Sequence, residues 1–482
     1  MVHLLMQARK GALKHQTDKH EEEEVKGFAT VEESEVGRVQ VGKGMQLSEM
    51  EMVAQCVIFF LAGFETVSTC LMFMAYELTI NRDVQEKLYE EIRQTRESLG
   101  GGPLTYDAVQ KMQYMDMVVS ETLRLWPPAP ATDRMCVRDY VLDDGEGLRF
   151  TMDKGTLAFI PIFGLHHDPQ YFPNPDKFDP ERFSPENRDK IRQGTYLPFG
   201  IGPRNCIGSR FALMEVKALI YHMLMEFTFE KTPNTQVPLQ LAKQMKMEID
   251  LVYLVLLLAI VYSVYHYITK DNNYFHDKPI PSMATQPLLG SSWRLVMKKI
   301  SLHEFIIEIY NKYPLVKVFG MFDMTTPVFV VRDPELIKRI GVKDFDHFVN
   351  HRSVFGNTDN NHPRALFSKT LVALNDQKWR DMRATLSPAF TGSKMRQMFE
   401  LVGECCESMV KFYQNEVRRK SGTKVHEMKD VFTRFSNDVI ATCAFGLKVD
   451  SMGSVNNDFY TNGKKMVAFD RPIVILKMIG FQ

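Results

Sequence analysis

The feature that most constrains this chain is the ten-residue segment from Phe199 to Gly208, which contains three glycines, one proline and a single cysteine, Cys206. Glycine tolerates positive φ, and proline fixes its own φ and lacks an N–H, so this segment cannot continue a helix or a strand. The residues after it, Ser209 to Leu224, mix apolar and polar side chains at helical spacing. The sequence therefore predicts a tight loop that places Cys206 just before a helix N-terminus, where a thiolate is stabilised.

Two neighbours of Cys206 distinguish it from an ordinary cysteine. A lone cysteine is more often a small buried hydrophobe than a ligand. Here Phe199 and Arg204 complete the pattern Phe-x-x-Gly-x-Arg-x-Cys-x-Gly, which resembles the haem-ligand loop of the cytochromes P450. The resemblance implies that the Cys206 thiolate ligates haem iron. It also implies that Arg204 pairs with a haem propionate and that Phe199 packs beside the thiolate.

A second motif lies inside a long apolar segment that is predicted to be helical from Glu49 to about Thr79. Within it, the pair Glu65-Thr66 follows Ala62-Gly63. Polar side chains in an apolar segment are costly unless they find partners, and a glycine within a helix costs about 1 kcal/mol relative to alanine. A helix with one stripe facing solvent would accommodate both. The segment nevertheless resembles the oxygen-activating helix of the cytochromes P450, which implies that Glu65 and Thr66 deliver protons during the reaction.

Three further charged residues match a structural cluster of the same family. Glu121 and Arg124 are three residues apart on a predicted helix, and Arg182 lies in a Pro-Glu-Arg-Phe segment. Such a pair is usually a solvated surface ion pair. By resemblance, Glu121, Arg124 and Arg182 would together lock the segment that presents the cysteine loop. Arg134 matches an arginine that binds a haem propionate.

The remaining elements predicted in the first half of the chain are assigned a purely structural role. A capping-box pattern, Ser48-x-x-Glu51, opens the long helix. The other predicted elements are a helix from Asp83 to Leu99, a helix after Thr105 that ends at Trp126-Pro127-Pro128, antiparallel hairpins within Val137 to Pro161, and the start of a β-rich segment at Phe227–Phe229 and Val237–Leu239.

Two tempting site motifs are rejected. The adjacent histidines His166 and His167 do not share a face and have no second ligand cluster nearby, so the pair is assigned to structure. The sequence Gly200-x-Gly202 lacks the strand, helix and third glycine of a dinucleotide site. The seven cysteines are odd in number and scattered, which favours a reducing compartment without a disulfide framework.

An uncharged apolar run from Leu251 to Tyr265 extends to Ile268 and is long enough to cross a bilayer. Its tyrosines lie near the ends, where they suit the membrane interface. A buried core helix is the alternative. The sequence therefore predicts a membrane anchor at residues 247–270.

The residues after this run resemble the beginning of a microsomal cytochrome P450. They contain a proline-rich hinge at Lys278–Gly290, strands at Lys317–Phe319 and Val328–Val331, and a helical segment at Phe435–Ile440. The sequence Trp379-Arg380-Asp381-Met382-Arg383 resembles the helix that contacts the haem propionates, here through Trp379 and Arg383.

The order of these regions departs from the family. Residues 1–244 resemble the C-terminal, haem-binding half, residues 247–270 the membrane anchor, and residues 271–482 the N-terminal half. The substrate-access helices and the last β-hairpins of the family are not recognisable. We interpret the chain as two partial family members joined near Gln244 to Met247. A membrane span between the halves would tend to put them on opposite sides of the bilayer.

The expected fold is mainly α with small β-sheets, of the cytochrome P450 type, incomplete or permuted. The resemblance implies a haem-thiolate monooxygenase that oxidises lipophilic small molecules with O2, with haem b (iron protoporphyrin IX) as cofactor. It implies electrons from NADPH-cytochrome reductase, with cytochrome b5 as a further partner, and a place in the endoplasmic reticulum membrane with the catalytic face cytosolic. The likeness is to the insect microsomal, xenobiotic-metabolising branch. The formal net charge of zero gives no indication of a nucleic-acid partner.

Two other classes stay open. The chain could be a catalytically inactive fusion or relic in the membrane that keeps the family motifs without a complete pocket, and its haem content would separate this from the enzyme. It could also be a helical scaffold protein with accidental motifs. Four separate patterns at the expected spacing within residues 62–208 argue against the scaffold.

Overall fold

The computed structural model describes residues 5–6, 47–240, 274–286, 289–352, 365–419, 424–454 and 457–467, and this part of the chain is mainly helical with small β-sheets. The helices are α1 (Glu49–Ile80), α2 (Arg82–Ser98), α3 (Tyr106–Lys111), α4 (Gln113–Leu125), α5 (Ile162–His166), α6 (Ser209–Glu226), α7 (Trp293–Val296), α8 (Leu302–Asn311), α9 (Pro334–Lys338), α10 (Ala365–Ser368), α11 (Asp376–Leu386), α12 (Gly392–Arg419), α13 (Met428–Phe445) and α14 (Asp458–Val467). The strands are β1 (Thr132–Met135), β2 (Tyr140–Asp143), β3 (Arg149–Met152), β4 (Leu157–Ile160), β5 (Val318–Asp323) and β6 (Thr326–Val331).

The long helix α1 is the centre of the fold. The predicted capping box is confirmed, because the Ser48 N–H donates to Glu51 Oε2 at 2.9 Å and the Glu51 N–H donates to Ser48 Oγ at 3.3 Å. Within the described ranges, α1 is the helix that is long and apolar enough to cross a membrane by length and composition. It packs instead against α4, α6 and α13. Its apolar side chains therefore form part of the protein core.

The helix predicted after Thr105 is two helices, α3 and α4. The break falls at Met112, whose backbone is extended. There the Glu91 carboxylate on α2 accepts the backbone N–H groups of Tyr114 at 2.7 Å and Met115 at 2.8 Å. A side chain from a neighbouring helix thus caps the first turn of α4.

A four-stranded sheet joins the two halves of the chain, in the order β1-β4-β6-β5. Strands β1 and β4 come from the first half and pair antiparallel, although β1 lies before the range in which hairpins are predicted. Strand β4 also pairs in parallel with β6 of the second half, with Leu157 opposite Val328. Strands β2 and β3 form a separate antiparallel hairpin.

The prediction that a β-rich segment begins at residues 227–229 and 237–239 is wrong. Residues 227–240 form no strand in the described structure. The backbone of Phe229 is satisfied instead by the amide of Gln85, with the Phe229 N–H donating to Oε1 at 2.9 Å and Nε2 donating to the Phe229 carbonyl at 3.1 Å. A side chain on α2 thus takes the place of a neighbouring strand.

The largest hydrophobic core also combines both halves. It includes Leu71 of α1, Leu219 of α6, Val402 of α12 and Phe432 of α13, all fully buried. The predicted membrane anchor at 247–270 and the predicted join near Gln244 to Met247 lie outside the described residues.

Candidate active site

The cysteine loop has the conformation that its glycines predict. Gly200 and Gly202 adopt positive φ, 78° and 72°. The Cys206 N–H donates to the Phe199 carbonyl at 2.9 Å, which closes the loop. A Cβ on Gly202 would overlap the backbone carbonyl of Gly341, so only glycine allows the second half to pack here.

The Cys206 side chain faces a cavity of about 340 Å³. Its accessible surface lies inside this cavity, although the residue is deep within the protein. Burial raises the pKa of the Cys206 thiol, while the Gly208 N–H and the charge of Arg383 oppose that rise. The walls are largely apolar and include Phe199, Phe59 and Phe390.

Helix α1 forms the cavity wall through Ala62, Gly63 and Thr66. The Thr66 hydroxyl donates to the Ala62 carbonyl at 2.6 Å. A Cβ on Gly63 would lie 2.9 Å from Cδ1 of Ile440, so this glycine also permits the close approach of α13. The structure thus places Thr66, one member of the predicted proton-delivery pair, in the wall of the cavity.

Glu65 is not among the residues that line this cavity. Its carboxylate forms an ion pair with Lys429 of α13 at 2.8 Å, and the Glu65 side chain is 45% exposed. Lys429 Nζ also donates to the hydroxyls of Ser68 and Thr69. The structure therefore separates the two members of the predicted proton-delivery pair, one toward the cavity and one toward solvent.

Two arginines line the cavity, Arg134 and Arg204. Arg134 is 1% exposed, and it donates to the Ile201 carbonyl at 3.1 Å and to the Asp133 carbonyl at 2.7 Å. Its Nε is buried without a partner in the described part of the chain. Burial lowers the pKa of Arg134 to about 10, against the opposing charge of Asp133.

Arg204 is held by three backbone carbonyls of the second half of the chain. Its donors reach Val349 at 2.7 Å, Val372 at 3.3 Å and Leu374 at 2.6 Å. Burial lowers the pKa of Arg204 to about 9, and the neighbouring charges of Arg134 and Arg383 contribute to that decrease. The buried Arg134 and Arg383 and the half-buried Arg204 therefore form a region of positive charge.

Trp379 and Arg383 on α11 lie behind the cysteine loop and are not among the cavity-lining residues. Arg383 donates to the Asn205 backbone carbonyl at 2.8 Å and to Asn205 Oδ1 at 2.7 Å. The Arg204 guanidinium lies over the Trp379 ring, 4.2 Å from its centroid. Both residues thus support the residues that flank Cys206.

Sequence reasoning missed two residues beside the arginines, Asp133 and His351. Asp133 Oδ1 lies 2.8 Å from His351 Nδ1. Burial raises the pKa of Asp133, but the hydrogen bond from His351 and the charges of Arg352 and Arg134 lower it overall. Because Asp133 is adjacent to Arg134 in the sequence, its place beside the site was predictable. Nothing in the sequence connects Asp133 to His351.

The structure brings the predicted cluster of Glu121, Arg124 and Arg182 together. Arg124 donates Nε to Glu121 Oε2 at 2.7 Å and Nη2 to Oε1 at 2.9 Å, with both side chains fully buried. Arg182 Nε lies 3.4 Å from Glu121 Oε1. The Asp179 N–H also donates to this carboxylate, at 2.9 Å.

His166 links this cluster to the cysteine loop. Its Nδ1 lies 3.1 Å from the Arg124 carbonyl, and its Nε2 accepts the Leu197 N–H at 2.9 Å. Burial and the charge of Arg124 hold the pKa of His166 well below its ordinary value. Both ring nitrogens are thus engaged, in keeping with the structural role assigned to this histidine.

The family model for cytochrome P450 matches residues 5–255 and 280–478, so the chain belongs to the cytochrome P450 family. It is 47% identical over 244 residues to "Cytochrome P450 9e2" of Blattella germanica, covering 51% of this chain and 42% of the relative. It is 55% identical over 186 residues to "Cytochrome P450 9b2" of Drosophila melanogaster, covering 38% and 37%. It is 48% identical over 202 residues to "Cytochrome P450 3A2" of Rattus norvegicus, covering 42% and 39%. The chain therefore spans about two fifths of the length of these curated relatives.

The cavity fits the haem that this family implies. Its lining combines a thiol, largely apolar surfaces and two guanidinium groups, the buried one of Arg134 and the half-buried one of Arg204. Haem combines an iron that accepts a thiolate, an apolar ring and two carboxylates. The unpartnered Arg134 Nε and the lowered pKa of Arg204 both indicate that these cations suit an anionic ligand.

Proposed function

We propose that this chain is a haem-thiolate monooxygenase that oxidises lipophilic small molecules with O2. The observation that carries the proposal is that the Cys206 thiol lines an apolar cavity together with the buried Arg134 and the half-buried Arg204. We propose haem b as the cofactor. When bound, it would supply the oxygen chemistry, with the thiolate increasing electron density at the iron.

The residues around the cavity would hold and orient that cofactor. Cys206 would supply the thiolate that binds the iron, held in place by the hydrogen bond from its N–H to the Phe199 carbonyl and by the turn that ends at Gly208. Arg134 and Arg204 would bind the propionates. Trp379 and Arg383 would act through other residues, Trp379 by stacking under Arg204 and Arg383 by fixing Asn205 beside the cysteine.

Proton delivery would be divided between the two sides of α1. The half-exposed Glu65 carboxylate can take protons from solvent, and the Thr66 hydroxyl can pass a proton into the cavity. In the structure the Thr66 hydroxyl donates to the Ala62 carbonyl at 2.6 Å, so it would pass its proton into the cavity only after that hydrogen bond breaks and the hydroxyl rotates, while its lone pairs accept a replacement proton from water.

The apolar walls favour a lipophilic substrate. For electron supply we propose NADPH-cytochrome reductase, with cytochrome b5 as a second donor. The similarity to insect relatives supports assignment to the insect xenobiotic-metabolising branch. We place the protein at the endoplasmic reticulum membrane, with its catalytic face toward the cytosol.

We further propose that the halves of this chain stand in an order inverted relative to the family and still form one site. Residues of both halves line the cavity, including Cys206 from the first and Phe390 and Ile440 from the second. Strands β4 and β6 pair across the halves. A shared cavity requires both halves to lie on the same side of a membrane.

The reduced, carbon-monoxide difference spectrum of the full chain, expressed in membranes with haem available, tests the proposal. A thiolate-type Soret band is expected for the wild type and for Cys443→Ser, because Cys443 lines the same cavity outside the cysteine loop. Cys206→Ser should lose the band. A band that survives in Cys206→Ser would remove Cys206 as the ligand.

The same preparation separates the enzyme from an inactive relic. With purified reductase, NADPH and an alkoxycoumarin as a lipophilic probe, the enzyme should release dealkylated product. A normal haem spectrum without product from a panel of such probes would favour the inactive fusion. Sequencing of the native transcript across Gln244 to Met247 would then decide whether the inverted order is natural.

A further inference from the structure

A histidine from the second half of the chain lies beside the two arginines of the cavity. Its Nδ1, that of His351, is 2.8 Å from Oδ1 of Asp133, the residue before Arg134 on β1. Because a carboxylate only accepts hydrogen bonds, this contact keeps the proton on Nδ1 and leaves Nε2 as the nitrogen that can gain one. The His351 side chain is 21% exposed, so it can exchange protons with solvent.

The two residues before His351 attach this part of the chain to the cavity arginines. The Val349 carbonyl accepts a hydrogen bond from Arg204 Nε at 2.7 Å. The Asn350 carbonyl accepts the N–H of Met135 on β1 at 2.7 Å. His351 therefore has a defined position next to both guanidinium groups.

The charges that face His351 are mostly positive. Burial lowers the pKa of His351, and the charges of Arg134 on β1 and Arg204 on the cysteine loop add to that decrease. The Asp133 carboxylate opposes them. Arg352, the next residue along the chain, lies 3.7 Å from Asp133 Oδ2, so the same carboxylate is shared among several cations.

The charges farther out compensate one another. On α11, Arg383 and Asp376 act on the Arg204 guanidinium with opposite signs. Arg352 also forms an ion pair with Asp323 at the end of β5. The positive charge that disfavours a proton on His351 is therefore mainly that of the two cavity arginines.

A ligand with carboxylates would remove this effect. Its negative charges would offset those of Arg134 and Arg204, and a nearby negative charge favours the charged form of an imidazole. The Asp133 carboxylate would remain in place to stabilise the imidazolium through the Nδ1–H hydrogen bond. The site would thus gain a proton together with its ligand.

We propose that His351 takes up a proton from solvent at Nε2 when a ligand with carboxylates binds at Arg134 and Arg204, and releases it when the ligand leaves. The inference deepens the proposed function and rests on it, since it requires an anionic ligand at these arginines. The pKa of His351 is lower in the free protein than in the complex, so the affinity rises as the pH falls between these two values.

Binding of metal-free protoporphyrin IX to the full chain, prepared without haem, tests this inference. The probe has two carboxylates but no iron, so Cys206 does not take part. Fluorescence titration at about pH 6 to 8 gives the affinity, which should increase toward low pH by at most about tenfold per pH unit for a single proton.

Protoporphyrin IX dimethyl ester is the matched ligand, because it has the same ring without the negative charges. Its affinity should be the same across this pH range. A pH-independent affinity of the free acid, or an equal pH dependence of acid and ester, would overturn the inference.

Two variants assign the proton to His351. His351→Asn and His351→Gln each introduce an amide, which keeps an N–H donor but cannot gain a proton in this pH range. Both should bind protoporphyrin IX with an affinity that does not change with pH. His303→Gln is the control, since His303 is a half-buried histidine outside the cavity lining, and it should keep the wild-type dependence. The same dependence in both His351 variants would overturn the inference.

Proton uptake by the wild type keeps the test independent of how well the variants fold. In a weakly buffered solution near neutral pH, binding of protoporphyrin IX should raise the pH, and binding of the dimethyl ester should not. Binding without uptake would overturn the role of His351 alone. Failure of the wild type to bind the free acid at any pH would overturn the anionic-ligand site itself, and with it the proposed function.

Discussion

Arg124 and Arg134 are both buried arginines of the first half of the chain, and their surroundings differ in one respect. The Arg124 guanidinium makes two parallel bonds to the Glu121 carboxylate and two more to the carbonyls of His166 and Pro175. Arg134 binds carbonyls and the Thr132 hydroxyl, and in the described residues no carboxylate lies within ion-pair distance of it.

The presence or absence of a carboxylate partner distinguishes a buried charge that stabilises the fold from one that is available to bind an anionic ligand. A buried ion pair that is fully satisfied within the chain tends to fix local structure, and breaking it leaves an uncompensated charge. A buried cation held only by neutral groups retains most of its field, which an anionic ligand can neutralise. By this comparison Arg124 is structural, which supports our proposal that Arg134 and Arg204 bind the ligand.

Arg124→Leu should produce the largest effect on stability. It leaves the buried Glu121 carboxylate with Arg182 and the Asp179 N–H but without its bidentate partner, so we expect a loss of about 3–5 kcal/mol in the free energy of unfolding. Urea denaturation followed by circular dichroism measures it. The control is Arg93→Leu, because Arg93 is partly exposed and pairs with Glu90 and Glu97 on the helix surface. Equal urea midpoints for the two variants would break the comparison.

Arg134→Met should lower haem affinity more than stability. Loss of a charge-assisted hydrogen bond to a carboxylate costs about 1.5–3 kcal/mol, or roughly a 10- to 100-fold weaker affinity. Absorbance titration of the haem-free protein with haem measures the affinity. The exposed Arg138, four residues along the chain, provides the control in Arg138→Met, which should keep the wild-type affinity. An unchanged affinity in Arg134→Met would place Arg134 with the structural arginines.

Glu77→Gln tests a buried carboxyl group near the Glu121–Arg124 pair through its pH dependence. Burial raises the pKa of Glu77 to about 7, while the hydrogen bonds from Trp126 and Asn81 lower it. The folded protein keeps this proton at a pH where the unfolded chain releases it, so the wild type loses stability as the pH rises from about 4.5 to 7. The variant lacks this loss. Its free energy of unfolding should therefore rise relative to that of the wild type by roughly 1 kcal/mol per pH unit in that window.

Urea denaturation at pH values of about 5.5 and 6.5, both inside that window, checks this prediction. The free energy of unfolding of Glu77→Gln, minus that of the wild type, should be larger at the higher pH. A difference that stays constant with pH would mean that Glu77 titrates normally in the folded protein.

Lys429→Met should have the smallest effect. Its partner Glu65 is 45% exposed, and Lys429 itself is 28% exposed, so solvent screens the pair. We expect a loss of less than about 1 kcal/mol, measured as a small shift in the thermal midpoint. A loss as large as that of Arg124→Leu would show that exposure does not separate the two kinds of ion pair.

Local patterns account for what sequence reasoning predicted well. The capping box at Ser48 and Glu51, the positive φ of Gly200 and Gly202, and the start of α6 after the cysteine loop all depend on residues within a few positions of one another. The grouping of Glu121 with Arg124 is also local, since residues three apart on a helix share a face.

Long-range packing accounts for what was missed or wrong. The break between α3 and α4 depends on Glu91 of another helix, and Phe229 pairs with Gln85 instead of a strand. The ion pair of Glu65 joins residues 364 positions apart along the chain. None of these partners leaves a periodic signal in the sequence.

The sequence by itself determined the chemistry of the cysteine loop and the helices that flank it, because glycine, proline and capping residues act on the backbone next to them. Only the tertiary structure decided which charges are neutralised. Arg204 meets its carbonyl partners 145 to 170 residues away, and Glu215 is buried among side chains of α12 and α13. The cost of a charge depends on its burial and on the groups around it, and in this fold distant segments supply both.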